Sequence, residues 1–243
     1  MNNLSMTYDK YEIMPQCAFT KEGYTFSHWN EKADNTGKSY DAEKSYSNLA
    51  SEQGAEVILY AIWIPNKYTV SYNGNNHTIG STEDSNHTYD EPKKLTENGF
   101  RRIYTVTYDA KDGICPINSN SAEYGFIGWN TQADGKGETP NYDNEGKVVN
   151  LTSEEDGTVY YYAQWEPKSV ILPKPTRTGY TFNGWYTKDN EPIGMDGASY
   201  TPSSSIILEA HWIEHKYRIE FYGNGEDDEN GGSMEPMINI GYD

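Results

Sequence analysis

Cysteine, basic side chains and long apolar runs are all scarce in this sequence. The two cysteines, Cys17 and Cys115, have no CxxC spacing and no Cys/His pattern around them, which excludes a zinc-finger-type site. We expect both thiols to be unpaired and to pack like small apolar side chains. No apolar run approaches the roughly 20 residues that a membrane-spanning helix needs. No basic-then-apolar signal segment opens the chain either.

Positive charge is the second shortage. The chain has 19 Lys and Arg residues against 37 Asp and Glu residues, which gives a formal net charge of −18. Such a field repels phosphate backbones, so nucleic acid is excluded as a partner on charge grounds. The same field favours solubility and suits a protein that is exposed at a cell surface.

Signatures of catalysis are also missing. There is no GxSxG phrase, no P-loop and no Rossmann fingerprint. Among the many acidic residues, no pair stands out as a general acid and base. We therefore expect that the protein is not an enzyme, and we assign no catalytic residues, no metal ligands and no cofactor.

Aromatic residues are abundant, and they recur in phrases of the same form. Tyrosine alone occurs 22 times. The phrase GYTFxxW occurs at 23–29 and 179–185, with a weaker copy, GFIGW, at 125–129. Burying one ring removes roughly 150–250 Å² from water, so a few rings can form the core of a small module. We therefore expect five tryptophans to be mostly buried: Trp29, Trp63, Trp165, Trp185 and Trp212.

Two further phrases repeat alongside the aromatic one. A closing phrase ends in Trp and occurs at 58–63, 160–165 and 207–212. A front phrase of the form YxVxY, or YRIEF in its last copy, occurs at 68–72, 104–108 and 217–221. Alternation of large and polar residues in both phrases predicts strands with one buried face. A full repeat is a front half followed by a back half, on the order of 70 residues.

The order of the halves is irregular, because the front half at Tyr68 runs into a second front half at Tyr104. We divide the chain into a repeat unit (1–66), a composite unit (67–166), a third unit (167–215) and a truncated repeat (216–243). The expected fold is mainly β, in small tandem modules that form an elongated array. The segments 41–54 and 150–157 are compatible with a helical turn or two, so small α+β units are the alternative.

The three phrases together resemble the Listeria–Bacteroides repeat, the family of the B repeats in internalin-type surface proteins. The resemblance rests on GYTFNGW at 179–185, on the closing ILYAIW at 58–63 and on the front YTVSY at 68–72. It covers nearly the whole chain in partial copies. The resemblance implies small, mostly β extracellular repeats with a β-grasp-like fold that serve as stalks or adhesion modules. Members of the family share no catalytic residues, so the resemblance implies none for this chain.

Three polar features have a second interpretation as ligand or modification sites. The acidic stretch 223–232 has the composition of a calcium loop but lacks the spacing of an EF-hand, so we interpret it as a solvated hairpin end. His211 and His215 are four residues apart, but on a strand they would lie roughly 13 Å apart, which disfavours a metal site. Three asparagines lie in glycosylation sequons, which we interpret as accidental in a bacterial protein: Asn76, Asn86 and Asn150.

The interpretation that fits these observations is a non-catalytic repeat region of a bacterial surface or secreted protein. We expect a spacer or adhesion scaffold, located outside the cell. The alternative is a module that binds a glycan or a host or cell-surface protein through exposed tyrosines such as Tyr160 and Tyr162. We also expect self-association through unpaired end strands, with 216–243 pairing with the N-terminal repeat of a neighbouring molecule or being poorly ordered.

Overall fold

The computed structural model describes residues 1–137, 142 and 146–221 in full, and the backbone of 237–240. All regular secondary structure in these residues is β, which confirms the mainly β expectation. The strands in chain order are β1 (Glu12–Ile13), β2 (Tyr24–Asn30), β3 (Ser39–Tyr40), β4 (Ser45–Tyr46), β5 (Tyr60–Pro65), β6 (Lys67–Asn73), β7 (Ile79–Gly80), β8 (Ser85–Thr88), β9 (Lys93–Lys94), β10 (Phe100–Arg101), β11 (Ile103–Asp109), β12 (Ser119–Glu123), β13 (Gly125–Asn130), β14 (Lys147–Val148), β15 (Gly157–Glu166), β16 (Val170–Ile171), β17 (Tyr180–Tyr186), β18 (Pro192–Gly194), β19 (Ser199–Tyr200), β20 (Ile206–Glu214), β21 (Tyr217–Ile219) and β22 (Met237–Ile240).

The helical turns expected in 41–54 and 150–157 are absent from the described structure, so that part of the expectation is wrong. The first segment contains β4, and both segments otherwise form turns and bends. Left-handed residues interrupt them, with φ of 60° at Glu43, 56° at Asn48 and 57° at Asp156. A helix cannot pass through residues in that conformation, because the right-handed helix requires negative φ throughout.

The chain forms two compact units. The first comprises residues 1–75, 81–100 and 127–164, and the second comprises residues 76–80, 101–126 and 165–243. Each unit is therefore built from segments that are not contiguous in sequence, and the pairing of the strands gives the reason.

The sheets define three repeats, and in two of them a front half joins a back half. Repeat A (12–66) has a sheet of order β3-β2-β5. Repeat B (67–100 with 125–166) has the order β13-β15-β6-β8, in which the front strand β6 runs parallel to the closing strand β15. Repeat C (101–124 with 167–215) has the order β12-β11-β20-β17-β18, in which the front strand β11 runs parallel to β20.

The front halves of B and C are therefore interleaved with their back halves. The front strand β11 pairs with β20, about 100 residues further on, although the closing strand β15 comes between them in sequence. Both parallel pairs have the same register, since Val70 lies opposite Val159 and Val106 lies opposite Ile206. The boundaries 1–66, 67–166, 167–215 and 216–243 stay a prediction about the sequence units.

Alternating burial along the front strands follows the expected strand period. In β6, Tyr68, Val70 and Tyr72 are buried while Thr69 and Ser71 between them are half-buried. The same alternation runs through β11, where the corresponding residues Tyr104, Val106 and Tyr108 are buried. Because both valines are 0% exposed, the front strand supplies the centre of the core in repeats B and C.

A short strand pair closes the other side of each repeat. The pairs are antiparallel and join β1 to β4, β9 to β14, and β16 to β19. One buried apolar residue follows the first strand of each pair, and its amide donates to a carbonyl beyond the partner strand. These residues occupy the same place in the three repeats: Met14, Leu95 and Leu172.

Candidate functional site

The aromatic phrase supplies the core of each repeat. Its tryptophans Trp29, Trp129 and Trp185 are 4%, 0% and 0% exposed. The indole N–H of Trp29 donates to the carbonyl of Pro15 at 2.9 Å, and that of Trp185 to Pro173 at 2.8 Å. A buried ring with a satisfied N–H stabilises the fold and offers no face to a ligand.

The front strands place a tyrosine against two of these tryptophans. The ring centroids of Tyr72 and Trp129 are 4.8 Å apart, and those of Tyr108 and Trp185 are 5.0 Å apart. The two pairs are tilted by 55° and 51°, so the same packing unit is built twice from different sequence segments. The rings of the front and aromatic phrases therefore hold the two halves of a repeat together.

The tryptophans of the closing phrase are half-buried, which is less than expected for Trp63, Trp165 and Trp212. Each still packs edge to face on the phenylalanine of its aromatic phrase, with centroids 5.6 to 5.9 Å apart. The geometry is favourable for aromatic pairs. The expectation of a ring cluster in each repeat therefore holds, with the closing tryptophan at its border.

The glycine at the front of the phrase is needed for a turn. Gly23 and Gly179 have φ of 73° and 79°, a left-handed conformation that a side chain disfavours. The turn brings a cation over the following ring, with Lys21 Nζ 3.5 Å from the centroid of Tyr24 and the Arg177 guanidinium 3.8 Å from that of Tyr180. These cation–ring contacts make Tyr24 and Tyr180 part of the scaffold.

A buried asparagine network follows the tryptophan, and the sequence analysis missed it. Asn30 is 0% exposed, and its Oδ1 accepts from the amides of Lys32 and Gly37 while its Nδ2 donates to the carbonyl of Gly37. In repeat B, Asn130 Oδ1 accepts from Gln132 and Gly137 in the same way. A Trp-Asn pair with a glycine seven residues after the asparagine is the sequence signal that could have identified this network.

Replacing Asn30 should destabilise repeat A. We expect Asn30→Leu to lower the free energy of unfolding by about 2–4 kcal/mol, because two partly buried amides lose their acceptor. Asn30→Asp keeps an acceptor but buries a carboxyl group that faces the carbonyl of Gly37, so it should also destabilise the repeat. Urea unfolding followed by tryptophan fluorescence measures both. A leucine variant as stable as the wild type would contradict this role.

Two buried tyrosines differ in whether their hydroxyl groups have partners. The hydroxyl of Tyr161 is fully buried without a hydrogen-bond partner in the described structure, whereas that of Tyr40 donates to Glu31 Oε1 at 2.7 Å. Burial raises the pKa of Tyr161 well above 10.0. Burial, together with the bond to Glu31, raises the pKa of Tyr40 to about 12.

Conversion of these tyrosines to phenylalanine should have opposite effects. We expect Tyr161→Phe to raise stability by about 1–2 kcal/mol, because an unpaired buried hydroxyl is removed, and Tyr40→Phe to lower it by about 1 kcal/mol. Because folding raises the pKa of Tyr161, the protein keeps its full stability below pH 10 and loses stability as the pH rises above 10. Tyr161→Phe should therefore also reduce this loss of stability at high pH. Thermal melts from pH 8 to pH 12 test this, and equal effects of the two variants would contradict it.

The two histidines with a possible metal-site spacing make structural contacts, and the acidic stretch lies outside the described residues. His211 stacks on Tyr186 with centroids 3.8 Å apart, and His215 Nε2 lies 2.8 Å from Thr181 Oγ1. Within the described residues, no group of three His, Cys, Asp or Glu side chains could hold a metal ion. The acidic stretch 223–232 lies outside the described residues, so the calcium hypothesis stays a prediction.

The two cysteines are unpaired and pack against apolar cores, as the absence of CxxC and Cys/His spacing predicted. Both Cys17 and Cys115 are free and half-buried. Cys17 packs against the core of repeat A, and Cys115 packs against that of repeat C. They act there as small apolar side chains.

The described surface has a shallow groove. The groove has a volume of about 340 Å³ and is lined by Glu31, Lys32, Ala33, Asp34 and Tyr60. Of the two tyrosines suggested as surface contacts, Tyr160 is 56% exposed and Tyr162 is half-buried. Both rings lie on the face of β15 opposite to that of the buried Tyr161 and Ala163.

No helix in the described part of the chain is long and apolar enough to cross a membrane.

The chain is similar in sequence to two longer proteins of one organism. The chain is 26% identical over 238 residues to a protein of Evansella cellulosilytica named "Putative Gly-rich membrane protein", an alignment that covers 88% of this chain and 25% of the relative. It is 30% identical over 153 residues to a second protein of that organism, named "Putative membrane protein", covering 63% of this chain and 18% of the relative. The chain thus spans a quarter or less of the length of these relatives. No solved structure matches it.

The family comparison agrees with the repeated phrases. The sequence pattern of the Listeria-Bacteroides repeat domain matches residues 2–62 and 139–211, which together are more than half of the chain. The second match ends in the closing strand of repeat C, and the first ends in that of repeat A. This is a family of repeat domains and not of enzymes. The protein belongs to the Listeria-Bacteroides repeat domain family.

Proposed function

We propose that the chain is a non-catalytic spacer and adhesion scaffold in a bacterial surface protein. The observation that carries the proposal is the use of the aromatic phrases: their tryptophans Trp29, Trp129 and Trp185 are at most 4% exposed. Their position inside every repeat supports a role in holding the chain in shape. The relatives are named as membrane proteins and are much longer than this chain, which supports placement of such a region within a larger membrane-associated protein.

The location outside the cell, the β-grasp-like form of the units and the arrangement as an elongated tandem array belong to this proposal. The net charge of −18 supports an exposed setting, since it favours solubility. Protease added to intact bacteria tests the location. The proposal expects loss of the region from intact cells, and protection until the cells are broken would contradict it.

Two matched variants test the scaffold role. Trp185→Ala removes a core ring, and Tyr160→Ala removes a ring that is 56% exposed. A scaffold requires folding but no surface ring, so attachment of cells to their target should fall with Trp185→Ala and be unchanged with Tyr160→Ala. Loss of attachment with Tyr160→Ala, in a chain that melts like the wild type, would contradict the scaffold role.

The alternative is a module that binds a glycan or a host protein through exposed tyrosines. The groove beside Tyr60 favours this alternative, because a ring that is 42% exposed lines the same groove as Glu31 and Asp34. An aromatic face flanked by hydrogen-bonding groups can stack on a sugar. Resonance shifts of Tyr60 and its neighbours on addition of oligosaccharides would support the alternative.

A further inference from the structure

A single buried residue connects repeat A to repeat B. The closing strand β5 ends at Pro65 and the front strand β6 begins at Lys67, so Asn66 alone lies between them. Both sides of this connection belong to the first compact unit. Asn66 is 7% exposed, although asparagine is mostly exposed in folded proteins. A buried amide side chain needs hydrogen-bond partners, and the two repeats supply them.

Asn66 is hydrogen-bonded to repeat A on one side and to repeat B on the other. Toward repeat A, its amide donates to the carbonyl of Gly23 at 2.8 Å, and its Oδ1 accepts from Thr25 Oγ1 at 2.7 Å. Toward repeat B, its Nδ2 donates to the carbonyl of Ser153 at 2.7 Å, and its carbonyl accepts from the amide of Tyr89 at 2.9 Å. Tyr89 belongs to the front half of repeat B and Ser153 to its back half. One residue therefore ties three segments together.

A second contact joins the repeats through a carboxylate. Tyr24 Oη of repeat A donates to Asp90 Oδ2 of repeat B at 2.7 Å, and the rings of Tyr24 and Tyr89 pack edge to face with centroids 5.8 Å apart. Asp90 is itself held by Asn150, since its amide donates to Asn150 Oδ1 at 2.6 Å and its Oδ1 accepts from Asn150 Nδ2 at 2.7 Å. The bond from Tyr24, followed by that from Asn150, holds the pKa of Asp90 below its ordinary value. The acceptor is therefore charged at neutral pH and fixed in position.

The pair Asp90–Asn150 has a counterpart near the start of the chain. The amide of Asp9 donates to Asn48 Oδ1 at 2.7 Å, and Asn48 Nδ2 donates to Asp9 Oδ1 at 3.0 Å. All four residues are left-handed, with φ between 52° and 63°. The Asp–Asn pair is therefore a recurrent turn element. In repeat B its second carboxylate oxygen also accepts from Tyr24 of repeat A.

The backbone on either side of Asn66 is also held closely. A Cβ atom on Gly23, whose φ is 73°, would collide with the ring of Tyr89. The turn of repeat A and the ring of repeat B can therefore meet only because this residue is glycine. On the other side, the amide of Lys67 donates to Glu155 Oε2 at 2.9 Å, and its carbonyl accepts from the amide of Asp156 at 2.8 Å. Rotation about the connection would break contacts on both sides.

We propose that this A–B interface, formed around Asn66 and Asp90, locks repeats A and B in one fixed arrangement, so that they move and unfold together. In a repeat protein the contact between neighbours contributes to the stability of both. The lock gives a spacer a fixed geometry at this point, a consequence that rests on the proposed scaffold role. The lock itself is a property of the purified chain, so its failure and a failure of the attachment assay are separate results.

The distance between two spin labels tests the fixed arrangement. The labels are placed at Tyr60→Cys in repeat A and Tyr160→Cys in repeat B, whose native side chains are 42% and 56% exposed, in a background with both native cysteines changed to serine. Pulsed electron–electron double resonance should give one narrow distance distribution. Tyr24→Phe combined with Asn66→Ala should broaden this distribution at least twofold, because side-chain bonds to both repeats are removed.

A matched double variant controls for general loosening of repeat A. Tyr40→Phe combined with Asn48→Ala removes the same kinds of group, because Tyr40 donates to Glu31 at 2.7 Å and Asn48 donates to Asp9 at 3.0 Å. The distribution should stay narrow in this control. A broad distribution with the interface intact would overturn the proposal. So would an unchanged width in the interface variant, or equal broadening by the control variant, with both repeats folded by circular dichroism.

Hydrogen exchange tests the lock in a chain whose interface residues are unchanged. Val70→Asp places a carboxyl group at a site in repeat B that is 0% exposed, so repeat B should unfold. Because repeat A then loses its neighbour, amide exchange in β2 should accelerate at least tenfold, although every residue of repeat A is native. Ser71→Asp alters the half-buried position next to it and should leave exchange in β2 at the wild-type rate. Wild-type exchange in β2 while β6 exchanges freely in the Val70→Asp chain would overturn the proposal.

Discussion

Trp185→Ala should lower the free energy of unfolding of repeat C by about 3–5 kcal/mol. The side chain is 0% exposed and packs against Tyr108 of the front strand and Phe182 of its own strand. Its loss removes a large ring, leaves a cavity between the two halves and deprives the carbonyl of Pro173 of a donor. Urea unfolding measures the effect as a shift of the midpoint.

A matched variant in the same repeat gives the scale. Trp212 is half-buried at the border of the core, and its indole N–H also donates to a carbonyl, that of Ala110. Trp212→Ala therefore removes a similar ring and a similar hydrogen bond but less buried surface, and it should cost less than Trp185→Ala. If Trp185→Ala unfolds at the wild-type midpoint, the aromatic phrase is not the core of the repeat.

Val106→Asp should destabilise repeat C by more than about 4 kcal/mol. Val106 is 0% exposed at the centre of the front strand β11. A carboxyl group at this position would be buried either as a charged carboxylate or as a neutral group without a hydrogen-bond partner, and both are costly. Because β11 pairs with β20, amide exchange should accelerate in residues 206–214, about 100 residues away in sequence. Hydrogen exchange read by mass spectrometry reports both segments separately.

The control for this prediction lies one residue further on. Thr107 points to the opposite face of β11 and is half-buried, so Thr107→Asp should leave exchange in β20 close to that of the wild type. The closing strand of repeat B, Gly157–Glu166, should stay protected in the Val106→Asp variant. Accelerated exchange in that strand, with β20 unaffected, would show that β11 belongs to the other repeat.

The sequence predicted the parts of the fold that depend on local pattern. Alternation at Tyr68, Val70 and Tyr72 identified a strand with one buried face, because the side-chain period of a strand is two whatever it pairs with. The core role of Trp29 and Trp185 followed from their recurrence at equivalent positions. The resemblance carried by the three phrases led to the correct family.

The pairing of the strands was beyond the same reasoning. Both closing phrases, at 160–165 and 207–212, carry the same signal, so nothing local shows which of them the front strand β11 selects. The helical turns expected in 41–54 were wrong because left-handed residues such as Glu43 and Asn48 interrupt the segment. Asn30 was missed because a polar residue at the end of a strand is typical of a solvated turn, whereas its amide here organises the turn from inside.

Cross-strand disulfide formation tests the interleaved pairing most directly, in a background that carries Cys17→Ser and Cys115→Ser. Thr107 lies opposite Ile207, and Ser71 lies opposite Tyr160, and both closing-strand positions are exposed. Oxidation should therefore link the chain that carries Thr107→Cys and Ile207→Cys, and the chain that carries Ser71→Cys and Tyr160→Cys. The exchanged combinations should stay reduced. A rapid link between Thr107→Cys and Tyr160→Cys, with none between Thr107→Cys and Ile207→Cys, would contradict the account.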